Sequence, residues 1–372
     1  MMKSKKMLAL ALILVLVVAI FAACGNNQPA APASAAPADG AATPAAPPAD
    51  PGATHHFNVS FTFAEPMNRG ITEGLDRIVE RSNGRITMTH YHSWSLSTVP
   101  TIIDDINAGF VSMGVIPVTE HLNRLPNTST ATYIPMLGFP HMLDIGPMFD
   151  DLFNNLDTIF SEEFARNDLV YFFNISMPPY HLWLTGDHEV RTPDDLAGLR
   201  IVTSCRILQQ FLTQHGAAPV TMPVTDYAVS MSTGVIDGAI MHINTMRSFG
   251  ALDFTESATI FADAGLTTAA HVMAIDRLLW DQLDAELQQL FIDESAIIRD
   301  AQNRNLYQLA ADNMEWFEES GANITMLSTS ELEAWRVGVH AAIEEELNNR
   351  VNDGFVHVFE VYEEITRRIA ER

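Results

Sequence analysis

Between Val190 and Gly250 short β-rich segments alternate with short helical ones, and that order restricts the chain to folds in which helices pack on a sheet. Thr192 is a helix N-cap, Pro193 belongs in a first turn, and Asp194 and Asp195 stand where a helix dipole favours acids. Thr192 to Ala197 therefore reads as one helical turn, stopped by Gly198. Leu199 to Thr203 is apolar and β-branched and predicts a strand. Arg206 to His215 follows with helical spacing at Ile207, Leu208, Phe211 and Leu212, closed by Gly216. The pattern then repeats: a strand over Pro219 to Met222, a cap at Thr225 and Asp226, a helix over Tyr227 to Ser232 and a stop at Gly234. Asp237-Gly238 turns the chain into a buried strand at Ala239 to Met241.

Upstream, strands are expected at Phe57 to Phe63, Arg85 to His92 and Ser112 to Val115, with helices at Ile71 to Ser82 and within Leu96 to Gly109. Pro126 to Gly138 reads as a connection, Pro147 to Asn167 as helical, and Val170 to Ser176 and Tyr180 to Leu184 as strands. Trp280 to Ser320 carries a long helical pattern. Such alternation implies α/β lobes with mostly parallel sheets, whose ligands sit beyond the carboxyl ends of the strands. The length favours two lobes over one.

Lys3, Lys5 and Lys6 precede an apolar run from Met7 to Ile20, and Phe21-Ala22-Ala23-Cys24 follows. This predicts a lipoprotein signal peptide over residues 1–24, with lipid attached to Cys24 and the membrane as partner through it. Residues 25–53, mostly Ala and Pro, form a disordered leash in this reading. The first 24 residues carry those three lysines and no acid, so the net charge of −25 becomes −28 without them. So acidic a chain excludes nucleic acid as a partner. No lysine follows Lys6, so cationic recognition falls to arginine or histidine. Beside Cys24 there is only Cys205, so no internal disulfide is available.

The run Thr192-Pro193-Asp194-Asp195-Leu196-Ala197-Gly198-Leu199-Arg200-Ile201 carries a resemblance, together with Gly216 to Pro223 and Ser232 to Ala239. Ile78 to Ile86, Ile106 to Gly109 and Trp280 to Gln288 extend it. In order and spacing these runs resemble the DctP-type substrate-binding proteins of tripartite ATP-independent periplasmic (TRAP) transporters. The resemblance covers roughly residues 57–345. It implies an α/β, two-lobed periplasmic-binding-protein-like fold with a long helix spanning both lobes. One lobe is expected over 54–179, with part of 268–307 returning to it, and the other over 180–267, with part of 308–372 returning. It further implies an extracytoplasmic protein that needs no cofactor, captures a small organic solute, an organic acid or a related compound, between its lobes and delivers it to TRAP membrane permease subunits.

Many members of that family grip a carboxylate with an arginine on the strand after the Asp-Leu-x-Gly-Leu turn; here that position is Val202. A second family arginine falls on Leu182, and a family asparagine falls on Met241. A guanidinium fork is the best carboxylate clamp, so its absence implies a less acidic or more apolar solute, or another arginine. Arg206, at the start of the next helix, is the substitute; an ordinary exposed helix charge is the competing reading. Phe63, Trp94 and Tyr180 are aromatic candidates for the cleft, with core packing as their alternative. Glu65 and Asn244 are polar candidates beside solvated-loop readings. His90 and His92 share a strand face, which leaves a metal-capture lipoprotein as an alternative, although no third ligand is evident. A ligand sensor for a membrane receptor would share the fold. No nucleophile elbow, zinc-protease motif or phosphate loop is present, and nothing supports an enzyme. Glu344 to Glu346 reads as a solvated acidic face.

Overall fold

The computed structural model describes residues 52–371 except 137, 139–141 and 263–264. The leader, Cys24 and nearly all of the leash lie outside the described residues. The first half runs β1 (His55–Ser60), α1 (Arg69–Arg81), β2 (Ile86–Tyr91), α2 (Ile102–Asn107), β3 (Met113–Ile116), α3 (Pro126–Thr132), α4 (Met142–Asn155), α5 (Asp157–Ala165) and β4 (Leu169–Ser176). The chain continues through β5 (Tyr180–Leu184), β6 (Arg200–Val202), α6 (Arg206–Gln214), β7 (Ala218–Val220), α7 (Tyr227–Ser232), β8 (Gly238–His242), α8 (Ile243–Ser248) and β9 (Ser257–Ile260). It ends with β10 (Ala270–Asp276), α9 (Arg277–Trp280), α10 (Ala285–Glu319), β11 (Asn323–Met326), α11 (Thr329–Asn352) and α12 (Val358–Ala370).

These elements build two sheets, in the orders β2-β1-β3-β10-β4 and β11-β9-β5-β8-β6-β7. Each is parallel except for one strand: β10 runs antiparallel to β3 and β4, and β5 runs antiparallel to β8 and β9. The fold is α/β and two-lobed. The chain passes from one lobe to the other between β4 and β5 and returns between β9 and β10.

The third tie is α10, whose 35 residues extend about 50 Å. Gly70 and Gly74 let α1 lie directly on it: a Cβ on Gly70 would stand 2.5 Å from the Gln302 Cα, and one on Gly74 would strike the Ile298 side chain. The same helix bonds both lobes. Gln302 accepts from the Ile71 N–H and donates to the Met67 carbonyl, while Asn303 accepts from the Ser176 N–H. Further along, the Leu306 carbonyl accepts from Asn244 of α8.

The expected capping of the 193–196 turn is present: Thr192 and Asp195 form a reciprocal capping box, and Gly198 takes the left-handed φ of 85° that ends the turn. The helix expected within 96–109 is present as Ile102–Asn107. Two readings of local structure are corrected. The segment from 147 divides into α4 and α5, with Pro147 inside α4. Pro126 to Thr132 is helix α3, and all seven of its residues are buried. Its polar sequence, Pro-Asn-Thr-Ser-Thr-Ala-Thr, reads locally as turn chemistry. Distant partners impose the helix. The Glu163 carboxylate, fully buried, accepts from the N–H groups of Asn127 (2.6 Å) and Thr128 (2.9 Å) at the helix start, where the dipole favours a negative charge. At its other side Arg350 donates to Ser129 Oγ, Thr130 Oγ1 and the Pro126 carbonyl. Arg350 is itself paired with Glu346 at 3.1 Å. Glu346 is therefore buried and not part of a solvated face, because a cation buried at α3 needs a counter-charge.

Candidate ligand-binding cleft

The two crossings fix where the lobes meet. β4 leaves its sheet at the edge where β1 and β3 end, and β5 enters the other sheet where β8 ends, with Tyr180 opposite His242 in the register. The return strand β10 begins opposite Ser176, at that same edge of the first sheet. Both crossings thus join the carboxyl ends of the parallel strands, which is where an open α/β sheet presents ligand-binding loops.

Side chains from both edges form one continuous arc. Phe63, just beyond β1, stacks on His271 of β10 with ring centroids 6.3 Å apart, and meets His242 of β8 edge-on at 6.4 Å. Tyr180 lies 5.3 Å from the His242 ring and 6.1 Å from that of Tyr133, which ends α3. Tyr133 Oη is 3.1 Å from Ser204 Oγ, so a hydrogen bond crosses from the first lobe to the loop after β6. Ser204 in turn donates to the Glu120 carboxyl, which follows β3. A hydroxyl has one hydrogen, so Tyr133 is the donor to Ser204 when Ser204 donates to Glu120. The α3 clamp therefore has a consequence here. By holding α3 it sets the position of Tyr133.

The electrostatics of the arc are unusual for an acid-binding site. Burial pushes His242 and His271 down to about 3, so both are neutral imidazoles. His242 accepts the Thr245 N–H at Nδ1 and therefore presents Nε2–H to Thr245 Oγ1 at 2.9 Å. His271 Nδ1 is buried with no partner, as are Thr268 Oγ1, Ser60 Oγ and Thr62 Oγ1 nearby in sequence or at the strand end. Glu120 reaches solvent, yet the protein crowding it raises its carboxyl above the ordinary range; accessible but partly desolvated is the condition of a cleft wall. Among the described residues it has no ion-pair partner within 4 Å. Tyr227, at the start of α7, is buried within the field of Glu120. Cys205 is buried and its thiol pushed up to about 12, which makes it inert.

Of the residues singled out from sequence, Phe63 and Tyr180 come together in the arc. Leu182 and Val202 are buried in the core, while Met241 is half-buried and its carbonyl accepts from the Trp183 indole. Trp94 packs against the apolar cluster of Ile102, Ile103 and Ile106, and Glu65 accepts from Thr72 Oγ1. Asn244 is buried, with its amide used on Leu306 and Asn313 of α10. Arg206 faces Glu346 at 3.5 Å and lines a groove of about 480 Å³ between α6 and α11 with Gln210, Pro219 and Asn349. His90 and His92 flank Phe61, their rings 6.4 Å apart, and no cluster of three or more His, Cys, Asp or Glu among the described residues is disposed to hold a metal.

Sequence reasoning missed Glu120, Tyr133, Ser204, Tyr227, His242 and His271. A signal existed for the histidines. Each stands at the border of an apolar strand, in Ala-Ile-Met-His242 and Ala-Ala-His271-Val-Met, where an ionisable residue has no packing reason to be.

Comparisons with known proteins point to the same fold. The profile of the bacterial extracellular solute-binding proteins, family 7 (DctP), matches residues 181–349. A solute-binding protein of Chromohalobacter salexigens is 23% identical over 229 residues, 60% of this chain and 64% of that protein. The ectoine-binding periplasmic protein TeaA of Halomonas elongata is also 23% identical, over 55% of this chain and 59% of TeaA. The matched regions thus span about three-fifths of the length of these curated relatives. The crystal structure of a marine metagenome TRAP solute-binding protein specific for aromatic acids, in complex with 3-hydroxybenzoate, superposes with a TM-score of 0.75 at 19% identity, over 86% of this chain and 99% of that one. Residues 181–349 thus match the DctP-type family of solute-binding proteins, and the two sheets joined at their carboxyl edges with a helix tying both lobes are the fold of TRAP solute-binding proteins.

Proposed function

We propose that the chain is an extracytoplasmic lipoprotein that captures a small organic solute in the arc between its lobes and delivers it to a TRAP membrane permease. The observation that carries this reading is the buried set of unpartnered polar atoms, His271 Nδ1 foremost, where the carboxyl edges of both sheets meet. A buried polar atom without a partner costs about 1–3 kcal/mol, and a solute that supplies the partner recovers it. Phe63 and Tyr180 then give stacking area, Glu120 and Ser204 give polar contacts, and closure of the lobes is favoured only by the solute's extra affinity for the closed form. Relatives that bind ectoine and 3-hydroxybenzoate support a solute of one ring or similar size. Lipid on Cys24 and the Ala/Pro leash would hold the domain at the outer face of the cytoplasmic membrane. No helix among the described residues is long and apolar enough to cross a membrane. A metal cargo held by His90 and His92 has no third ligand in support among the described residues.

A thermal-shift screen of the chain from Gly25 onward, against small acids, amines, polyols and aromatic solutes, is the test. One class is expected to raise the melting temperature, by an amount corresponding to about 2.7 kcal/mol at a hundred times its Kd. Silence across organic solutes, with a zinc response reversed by chelator, would overturn the proposal in favour of metal capture.

A further inference from the structure

The two arginines of the Val190–Gly250 stretch that lie nearest the cleft in sequence are both occupied elsewhere. Arg200 makes a fork onto Asp237 at 2.6 and 2.8 Å, and Arg206 faces Glu346. The positions where the family grips a carboxylate are the buried Val202 and Leu182. What faces the arc instead is a carboxylate, Glu120, with no cation within ion-pairing distance among the described residues. Around it stand Tyr133, Tyr180 and Tyr227, near enough to feel its charge, and beyond them the rings of His242, Phe63 and His271. A second, independent feature points to a polar ligand: His271 Nδ1, in a residue only 6% exposed, has no hydrogen-bond partner in the protein. One unpaired acid at the edge of a set of electron-rich rings is the chemistry that holds organic cations, the acid by charge and the rings by their negative faces. A carboxylate placed directly against Glu120 would meet repulsion.

We infer that the solute is an organic cation or zwitterion, whose positively charged nitrogen sits against Glu120 and Ser204 and between the faces of Tyr180, Tyr133 and Phe63. This rests on the reading of the arc as the solute site. A neutral imidazole at His271 fits the same choice, because it offers a polar atom without adding a positive charge. Val202, Leu182 and Met241 stand where the resemblance implies polar residues, and the acid facing the arc is the unpaired Glu120.

The test uses the chain from Gly25 onward in calorimetric titrations with choline, glycine betaine, malonate and benzoate. Choline or glycine betaine is expected to bind, and malonate and benzoate are not. Glu120→Gln, which keeps size and removes charge, is expected to weaken the cation roughly tenfold to a hundredfold. Tyr180→Leu is expected to weaken it by a further factor of about two to thirty. Binding of malonate or benzoate alone, unchanged or improved by Glu120→Gln, would overturn the inference and leave solute capture standing. Silence from all four probes in a protein that the thermal screen shows to bind an acid would overturn it too. Silence from every solute in both assays would count against capture itself.

Discussion

Arg350→Ala is expected to cost about 3–5 kcal/mol of stability, among the largest effects of any single change outside the apolar core. Arg350 is about nine-tenths buried and spends one nitrogen on three α3 groups at once, with Thr130 Oγ1 at 2.7 Å and Ser129 Oγ at 2.9 Å, while Nε holds Glu346. Truncation leaves Glu346 buried with only Arg206 at 3.5 Å, and leaves α3 without its second clamp. Arg350→Lys keeps the charge but not the fork and should recover only part of the loss. Replacing the pair together, with Glu346→Leu and Arg350→Met, should be much milder than Arg350→Ala, since removing both charges removes the desolvation cost along with the attraction. Urea unfolding midpoints measure all three. Because α3 ends in Tyr133, the alanine variant should also bind solute less tightly; a midpoint shift under about 1 kcal/mol would show that the clamp contributes little.

Stability is expected to fall steeply as the pH drops from about 6.5 toward 4. His181, His242 and His271 are buried, and burial lowers them to about 4, 3 and 3 from an ordinary value of 6.5. In that window the unfolded chain binds a proton at each and the folded chain does not, so every proton favours unfolding. Each histidine then removes about 1.4 kcal/mol per pH unit, and three acting together remove about 4 kcal/mol per unit below pH 5.5. Acids whose folded values are lowered, such as Asp237 beside Arg200, act in the same sense at lower pH. Glu163, raised by burial, works the other way and offsets part of the loss. Urea titrations at pH 7.5, 6 and 5 would read the slope, and His242→Asn with His271→Gln should flatten it. A midpoint that stays constant from pH 7 to 5 would mean these histidines are accessible to protons in the folded state.

Much of the scaffold was legible in the sequence because local chemistry determines it. Thr192 and Asp195 cap one another within four residues, Gly198 and Gly234 end their turns, and the Tyr180–Leu184 and Gly238–His242 strands are apolar runs bounded by turn residues. Helix α3 was not legible, since its partners lie about 35 residues away at Glu163 and about 220 residues away at Arg350. Glu346 failed for the same reason: beside Glu344 and Glu345 it looks like one more surface acid, and only Arg350 four residues on and Arg206 across the fold explain its burial. Phe63 and Tyr180, singled out because ligands sit at strand ends, do lie together where the two sheets meet. Glu120 and Ser204 were not singled out, because what brings them together is the meeting of two lobes and no spacing along the chain encodes it.

A crystal structure of the chain with whichever solute raises its melting temperature tests the location of the site most directly. The solute is expected between the sheets, touching Phe63, Tyr180 and His271, with a polar group against Glu120 and Ser204. Density instead in the outer groove beside Arg206 and Asn349, or in the one lined by Arg85, Glu286 and Asp293, with the arc empty, would contradict capture between the lobes.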